Sequence, residues 1–162
     1  MAIVFLLLGS NLGNRGEQLA EAERQLEKQI GPVEKKSRLY ETEAWGTEGQ
    51  PAFYNQVLQQ QTKLNPEEVL TKALETEARL GRVRQQKWEA RLIDIDLLYY
   101  EQCIYQSPRL SLPHPLIAFR RFVLMPLVEL APDFVHPVLG KTQTQLLAQC
   151  PDVLEVKPLP SF

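Results

Sequence analysis

The chain has 162 residues, 44% of them hydrophobic, and carries a net charge of −2 from 18 basic and 20 acidic side chains. That size fits one core and a single domain over residues 1–162, and the acidic balance argues against bulk attraction to nucleic acid or an anionic membrane, so any phosphate recognition has to be local. No apolar run is long enough for a membrane span, the two cysteines (Cys103 and Cys150) lack close spacing, and the two histidines (His114 and His136) give no zinc signature; a soluble protein of a reducing cytoplasm is expected.

Residues 3–8, IVFLLL, are continuously apolar and run into Gly9-Ser10-Asn11, the pattern of a buried central strand entering a turn. A helix follows: Asn14 can cap it with Glu17 three residues on, and Leu19, Ala22, Leu26 and Ile30 recur at helical spacing until Gly31-Pro32. A second extended stretch covers about Val33 to Thr42. The loop EAWGTEGQP leads to a third, FYNQVLQQQTKL, in which Phe53, Asn55 and Val57 share one face. Asn65-Pro66-Glu67-Glu68 is a strong helix start, and the helix should end at Gly81 with Leu70, Ala73, Leu74 and Leu80 as its apolar face. Glu77 falls on that stripe, where a carboxylate needs a partner. After a basic segment comes LIDIDLLYY. Period-2 alternation puts Ile93, Ile95, Leu97 and Tyr99 on one face and Leu92, Asp94, Asp96 and Leu98 on the other.

The order strand, helix, two strands, helix, strand predicts an α+β fold with a ferredoxin-like split β-α-β core. The proline-rich last third is expected to add a short helix and edge strands.

Asp94 and Asp96 leave one strand face with Cα atoms ~6.5 Å apart, a spacing at which paired carboxylates could hold magnesium. A solvated face with two ordinary acids is the commoner origin of such a pair, but the flanking leucines suggest partial burial, where unpaired negative charge is costly. Arg79, Arg82, Arg84, Lys87 and Arg91 precede the pair and are opposed within 79–91 only by Glu89. A basic run is usually a solvated loop, yet this one feeds the aspartate strand, and the guanidinium fork suits phosphate oxygens. Carboxylates for metal beside arginines for anions are the parts phosphoryl transfer needs. GSNLG fits neither a P-loop nor a dinucleotide fingerprint and reads as a strand-to-helix turn. Phe53 and Asn55 could hold a planar heterocycle by stacking and amide hydrogen bonds, although a core aromatic beside a strand-end asparagine explains them as well.

These pieces occur together as GSNLGNR at 9–15, YETEAWG with QPAFYN across 40–55, ExxLGRVR at 77–84, Trp88, RLIDIDLL at 91–98 and LPHPxxxxRxFVLxPLxELAP at 112–132. In this order and spacing they resemble the 6-hydroxymethyl-7,8-dihydropterin pyrophosphokinase family of folate biosynthesis over nearly the whole chain. The resemblance implies transfer of the pyrophosphoryl group of ATP to the pterin hydroxymethyl, with release of AMP. It implies Asp94 and Asp96 as ligands of two magnesium ions, and Arg82 and Arg91 as arginines closing over the phosphates with Arg84 and Trp88 beside them. Glu77, Ile95, Leu97, Arg109, Ser111, His114 and Arg120 fall in its ATP site, and Thr42, Trp45, Phe53, Asn55 and Phe122 in its pterin pocket. The implied partners are these two small molecules, with no nucleic acid, no membrane and a monomeric state. Three departures stand out: Phe53 stands where a tyrosine is also found in the family, the familiar Trp-Gly-Pro-Arg is here Trp88-Glu89-Ala90-Arg91, and Leu74 occupies a position where a polar residue can contribute to the ATP site. An RNA-binding module, or a sensor that binds pterin or nucleotide without turnover, remains an alternative on the same fold.

Overall fold

Strand β1 (Ala2–Ser10) is apolar along both faces because both are covered. Val4, Leu6 and Leu8 point into one hydrophobic cluster, and Phe5 and Leu7 into another on the opposite side of the sheet. The structure, a computed structural model, describes residues 1–43, 51–80 and 93–160.

Helix α1 (Arg15–Gln29) begins at the expected cap, where the Asn14 side chain accepts from the Glu17 amide at 3.1 Å. Its buried face is Leu19, Ala22 and Leu26. At its far end Gly31 has φ +151°, and a Cβ there would meet the Gln61 carbonyl oxygen at 1.9 Å, so only glycine fits. Carbonyls at and just past the helix C-terminus accept from polar side chains of the neighbouring strand: Gln60 Nε2 donates to the Leu26 oxygen, which also takes the Ile30 amide, and to that of Gly31, and Thr62 Oγ1 donates to that of Ile30.

The extended stretch at 33–42 is two strands, β2 (Val33–Lys36) and β3 (Tyr40–Thr42), both antiparallel to β4 (Phe53–Thr62). They part at Ser37, whose hydroxyl accepts from the Val57 amide at 3.0 Å while Gln56 Nε2 donates to the Ser37 carbonyl at 2.8 Å.

Helix α2 (Pro66–Arg79) opens with a full capping box between Asn65 and Glu68. Its buried stripe is Val69, Ala73, Thr76 and Glu77, whereas Leu74 is 46% exposed. The apolar face is therefore rotated from the expected one, with Val69 in place of Leu74 at its centre and Leu70 and Leu80 packed at its margin.

Strand β5 (Asp94–Tyr100) pairs antiparallel with β1, giving the sheet order β5-β1-β4-β3-β8 with β2 also on β4. Two crossing helices with a strand inserted between each pair of strands they join make the expected split β-α-β core. One detail differs. The register passes from Leu6↔Leu97 to Phe5↔Tyr99, so Leu98 is an extra, bulged residue. Beyond it the alternation reverses, and Tyr99 packs with Phe5, Phe134 and His136 rather than with Ile95 and Leu97.

The last third holds more helix than expected. Strands β6 (Tyr105–Gln106) and β7 (Ser111–Leu112) form a separate ribbon, and a 3-10 turn over Ile117–Phe119 precedes α3 (Arg121–Leu130) and α4 (Gln143–Gln149). Val123, Leu124, Leu127 and Leu130 of α3 and Leu146 of α4 cover the second face of the sheet. Strand β8 (Val156–Pro158) closes the edge along β3.

Candidate active site

Strand register brings the chemistry-bearing residues into rows. Asp94 lies beside Gly9, Gly9 beside Asn55, and Asn55 beside Tyr40; two rows further, on the same face, Asp96 lies beside Leu7. Thr42 pairs with Phe53 at the end of β3. Because the bulge at Leu98 comes after both aspartates, their expected common face is kept, and it is the face shared with Leu7, Gly9, Phe53 and Asn55.

These residues open onto a cleft of about 230 Å³ lined by Leu7, Gly9, Thr42, Glu43, Phe53, Asn55, Asp94, Asp96, Arg120 and Phe122. Phe122 comes from the first turn of α3, so helix and sheet contribute one aromatic wall each. The Asn55 amide is buried, and the buried Thr42 hydroxyl has no hydrogen-bond partner among the described residues. A buried hydroxyl without a partner is costly, and a ligand with a polar edge would relieve it. Gly9 is the floor: a Cβ there would stand 2.9 Å from Asn55 Oδ1 and 3.7 Å from Phe53 Cδ1. The first glycine of GSNLG thus leaves space inside a strand, while the turn itself is made by Gly13 at φ +69°.

A second cleft of about 320 Å³ lies on the outer side of β5, lined by Leu70, Ile95, Asp96, Leu97, Arg109, Leu110, Ser111, His114 and neighbouring residues. Asp96 is common to both clefts. The His114 amide donates to the carbonyl of bulged Leu98 at 2.9 Å, and its Nδ1 accepts from the Leu116 amide at 3.2 Å, which fixes the ring. Burial pushes the His114 pKa down, with Asp96 pulling it up and Arg120 pressing it down further. Arg109 is held against the first turn of α2, where Nε donates to Glu67 Oε1 at 3.0 Å and a terminal nitrogen to Thr71 Oγ1 at 2.6 Å. Ser111 donates to Gln106 Oε1 at 2.9 Å. Arg120 lines the first cleft, 5.8 Å from the Phe122 ring centroid.

Glu77, expected in the ATP site, has a structural partner. Its Oε2 accepts from the Ile95 amide at 2.7 Å, in the buried space between α2 and the edge of β5. It therefore grips the strand midway between the two aspartates. Sequence reasoning flagged the acid but had no means of finding its partner. It also missed Arg15 and Asn11. Arg15 donates to the Ala52 carbonyl at 2.6 Å and stacks 3.9 Å over the Tyr54 ring, and Asn11 Nδ2 donates to the Pro51 carbonyl at 3.4 Å. These contacts tie the GSNLGNR segment to the chain entering Phe53. Trp45, Arg82, Arg84, Trp88 and Arg91 lie outside the described residues, so the structure says nothing of their expected roles.

Among the described residues no group of three or more His, Cys, Asp or Glu side chains comes together that could hold a metal unaided. Asp94 and Asp96 on one face of the cleft still fit magnesium, which takes one or two protein carboxylates and fills its remaining positions with water and substrate phosphate oxygens.

Fold and site together define a ferredoxin-like α+β domain with a two-chambered cleft that meets at a strand-borne carboxylate. The chain belongs to the 7,8-dihydro-6-hydroxymethylpterin-pyrophosphokinase (HPPK) family, whose model matches residues 5–132. It is 41% identical over 141 residues to the 2-amino-4-hydroxy-6-hydroxymethyldihydropteridine pyrophosphokinase of Aquifex aeolicus, covering 87% of this chain and 88% of that one. The protein of the same name from Methylorubrum extorquens is 41% identical over 92% of this chain and 94% of its own length. A folic acid synthesis protein of Pneumocystis carinii matches 98% of the chain at 38% identity with 21% of its own length. Among solved structures, the HPPK-DHPS A437G protein of Plasmodium falciparum superposes with a TM-score of 0.73 at 17% identity, over 91% of this chain. The present chain spans 45% of that longer protein, and a likeness at such identity bears on the fold.

Proposed function

We propose that the protein transfers the pyrophosphoryl group of ATP to 6-hydroxymethyl-7,8-dihydropterin, giving the pterin diphosphate and AMP in folate synthesis. Family membership supports the reaction, and the observation that carries its mapping onto this chain is Asp96, which lines both clefts and so stands where two substrates would meet. One domain spanning 1–162 holds both substrates. The pterin occupies the first cleft. Phe53 and Phe122 stack on its two faces, the Asn55 amide meets donors and acceptors on the ring edge, and the Thr42 hydroxyl gains a hydrogen-bond partner. The hydroxymethyl arm then lies over Gly9, directed at Asp94 and Asp96.

ATP occupies the second cleft. Leu70 and the edge of β5 at Ile95 and Leu97 border its base, and Ser111, Arg109 and His114 border the remainder. His114, kept neutral by burial, can donate a hydrogen bond from Nε2 without contributing positive charge. Arg120 lines the first cleft together with Asp96, and by family match Arg82, Arg84, Trp88 and Arg91 complete the enclosure of the phosphates. The pterin hydroxyl oxygen forms a bond to the β-phosphorus, the bond from that phosphorus to the α,β-bridging oxygen breaks, AMP leaves with that oxygen, and the hydroxyl proton is released. Two magnesium ions, when held by Asp94 and Asp96, would neutralise the phosphates and acidify the hydroxyl. The chain itself orients the two reactants in line, excludes water by stacking, and fixes the carboxylates through Glu77. The reading includes a monomeric, cytoplasmic enzyme; among the described residues no helix is long and apolar enough to cross a membrane.

The test is to mix the purified protein with ATP, magnesium and 6-hydroxymethyl-7,8-dihydropterin and separate the nucleotides. AMP together with pterin diphosphate is expected. ADP as product would refute the proposed transfer, and binding of both substrates without turnover would make the protein a sensor.

A further inference from the structure

The cleft has one wall on the sheet and one on α3, so its width depends on how α3 is held to the sheet. The apolar contacts beneath α3 are non-directional and permit sliding. A polar contact between the two layers is directional, and one such contact bridges them beside the cleft, with its tyrosine buried and its carboxylate on the exposed side of α3. Tyr40 of β3 is 5% exposed, and its hydroxyl donates to Glu129 Oε1 of α3 at 2.6 Å. The same carboxylate accepts the Arg38 amide at 3.1 Å with both oxygens, so it grips the chain entering β3 at two points. Burial, together with this hydrogen bond, pushes the Tyr40 phenol well above its ordinary pKa, so that it stays a donor.

Neither residue lines the cleft, yet each is one step from a residue that does. Tyr40 is two residues before Thr42 on the same side of β3, and is the cross-strand neighbour of Asn55. Glu129 lies seven residues after Phe122 on α3, two helical turns or ~10.5 Å along the axis and on the same side of the helix. Resting on the function proposed above, we infer that Tyr40 and Glu129 are a positioning pair that locks α3 to β3 and so sets the gap between Phe122 and Phe53 in which the pterin ring is held. The pair acts chiefly on the pterin cleft, because the nucleotide cleft is built mainly from β5, α2 and the β6–β7 ribbon, and of α3 only its N-cap Arg120, nine residues from Glu129, is assigned to the ATP side.

The test compares wild type with Tyr40→Phe, Glu129→Gln and the double variant, measuring KM for both substrates and calorimetric affinity for the pterin with α,β-methylene-ATP and magnesium present. Losing a hydrogen bond to a charged acceptor should raise the pterin KM of Tyr40→Phe about tenfold, with the ATP KM changed by less than about twofold. Glu129→Gln keeps a neutral acceptor and should show a smaller rise of the same selectivity, and the double variant should be no worse than Tyr40→Phe, the non-additivity of a shared contact. A merely structural role would lower the amount of active protein without moving either KM. An unchanged pterin KM in folded Tyr40→Phe, or equal rises for both substrates, overturns the inference. Should Tyr40→Phe fail to fold, the selectivity of Glu129→Gln decides in the same way. Wild type without turnover refutes the proposed function and this inference with it, whereas active wild type with unselective variants refutes the inference alone.

Discussion

Gly9→Ala isolates the pterin cleft from the stability of the sheet. The added methyl carbon would sit 2.9 Å from Asn55 Oδ1, against the 3.4 Å at which ordinary contacts begin, so the amide end must move by about 0.5 Å. Asn55 can yield because it is the end of a side chain, but the movement takes its amide off the line of any hydrogen bond to the bound ring. One misdirected hydrogen bond in a buried site costs about 1–3 kcal/mol, or roughly 5- to 150-fold in pterin affinity. The Phe53 ring at 3.7 Å is ordinary contact and adds little. Gly9 lies within β1 and is not among the glycines with positive φ, so alanine is free of backbone strain. Alanine would by itself favour the strand by about 0.5–1 kcal/mol, offsetting part of the clash. The expected result is a raised pterin Kd in calorimetry with the melting temperature and the ATP affinity held. A Gly9→Ala protein that binds the pterin as wild type does would refute the reading of Gly9 as the cleft floor, and a loss confined to the melting temperature would make it a folding residue.

Glu77→Ala should destabilise the fold by about 1–3 kcal/mol in urea unfolding, because the buried Ile95 amide loses its acceptor, while Glu77→Gln retains an acceptor and should lose less; equal losses would contradict this role. Asp96→Ala should fold normally, its carboxylate being exposed, but form no AMP at any magnesium concentration, and near-normal AMP production would remove it from the chemistry. His136 accepts from the Val138 and Leu139 amides at 3.2 and 3.0 Å through Nδ1, and burial holds its pKa below the ordinary 6.5. The unfolded chain therefore binds the extra proton first, and the contribution of His136 to stability is full above about pH 6.5 and declines as the pH falls towards the lower folded value. Urea titrations at pH 7.5 and 5.5 should show that decline in wild type and a smaller one in His136→Gln; identical declines would assign it to other groups.

Both helices that cross the sheet first were legible in the sequence because their signals are local. Asn14 with Glu17, and Asn65 with Glu68, mark their starts within four residues, and the structure has both caps. What depends on a distant partner was not legible. The bulge at Leu98 exists only in the register of β5 against β1, so alternation alone carried Tyr99 to the wrong face. The break at Ser37 depends on the Gln56 side chain and the Val57 amide of β4, nineteen and twenty residues away. In the site, Asp94 and Asp96 could be placed on a common face because they precede the bulge, and Phe53 and Asn55 because β4 is regular there. Glu77 was recognisably out of place on its helix, but the backbone amide that explains it belongs to another element. Gly9 was read as part of a turn because glycine marks turns far more often than it marks a floor inside a strand.

The arrangement also settles which parts of the site can drift and which cannot. Asp94, Gly9 and Asn55 occupy one row across three hydrogen-bonded strands, so the carboxylate and the amide are two strand spacings apart, ~9.6 Å between Cα atoms. That distance is a property of the backbone ladder, and no loop adjusts it. On the proposed function, the room above Gly9 would take the flat bicycle, with Asn55 at its far edge and the one-carbon arm directed at the carboxylates. Phe122 has no such ladder. It stands on a helix joined to the sheet by apolar packing and by Glu129, and Pro126 inside that helix has no N–H to offer the Phe122 carbonyl one turn earlier. Substitutions in the sheet row should therefore act by occupying space or removing a partner, with the separation of carboxylate and amide unchanged. Substitutions beneath α3 should act by changing the width of the cleft, and because Tyr40 adjoins Asn55 and both kinds bear on the same bound ring, combining them should show coupling rather than simple addition.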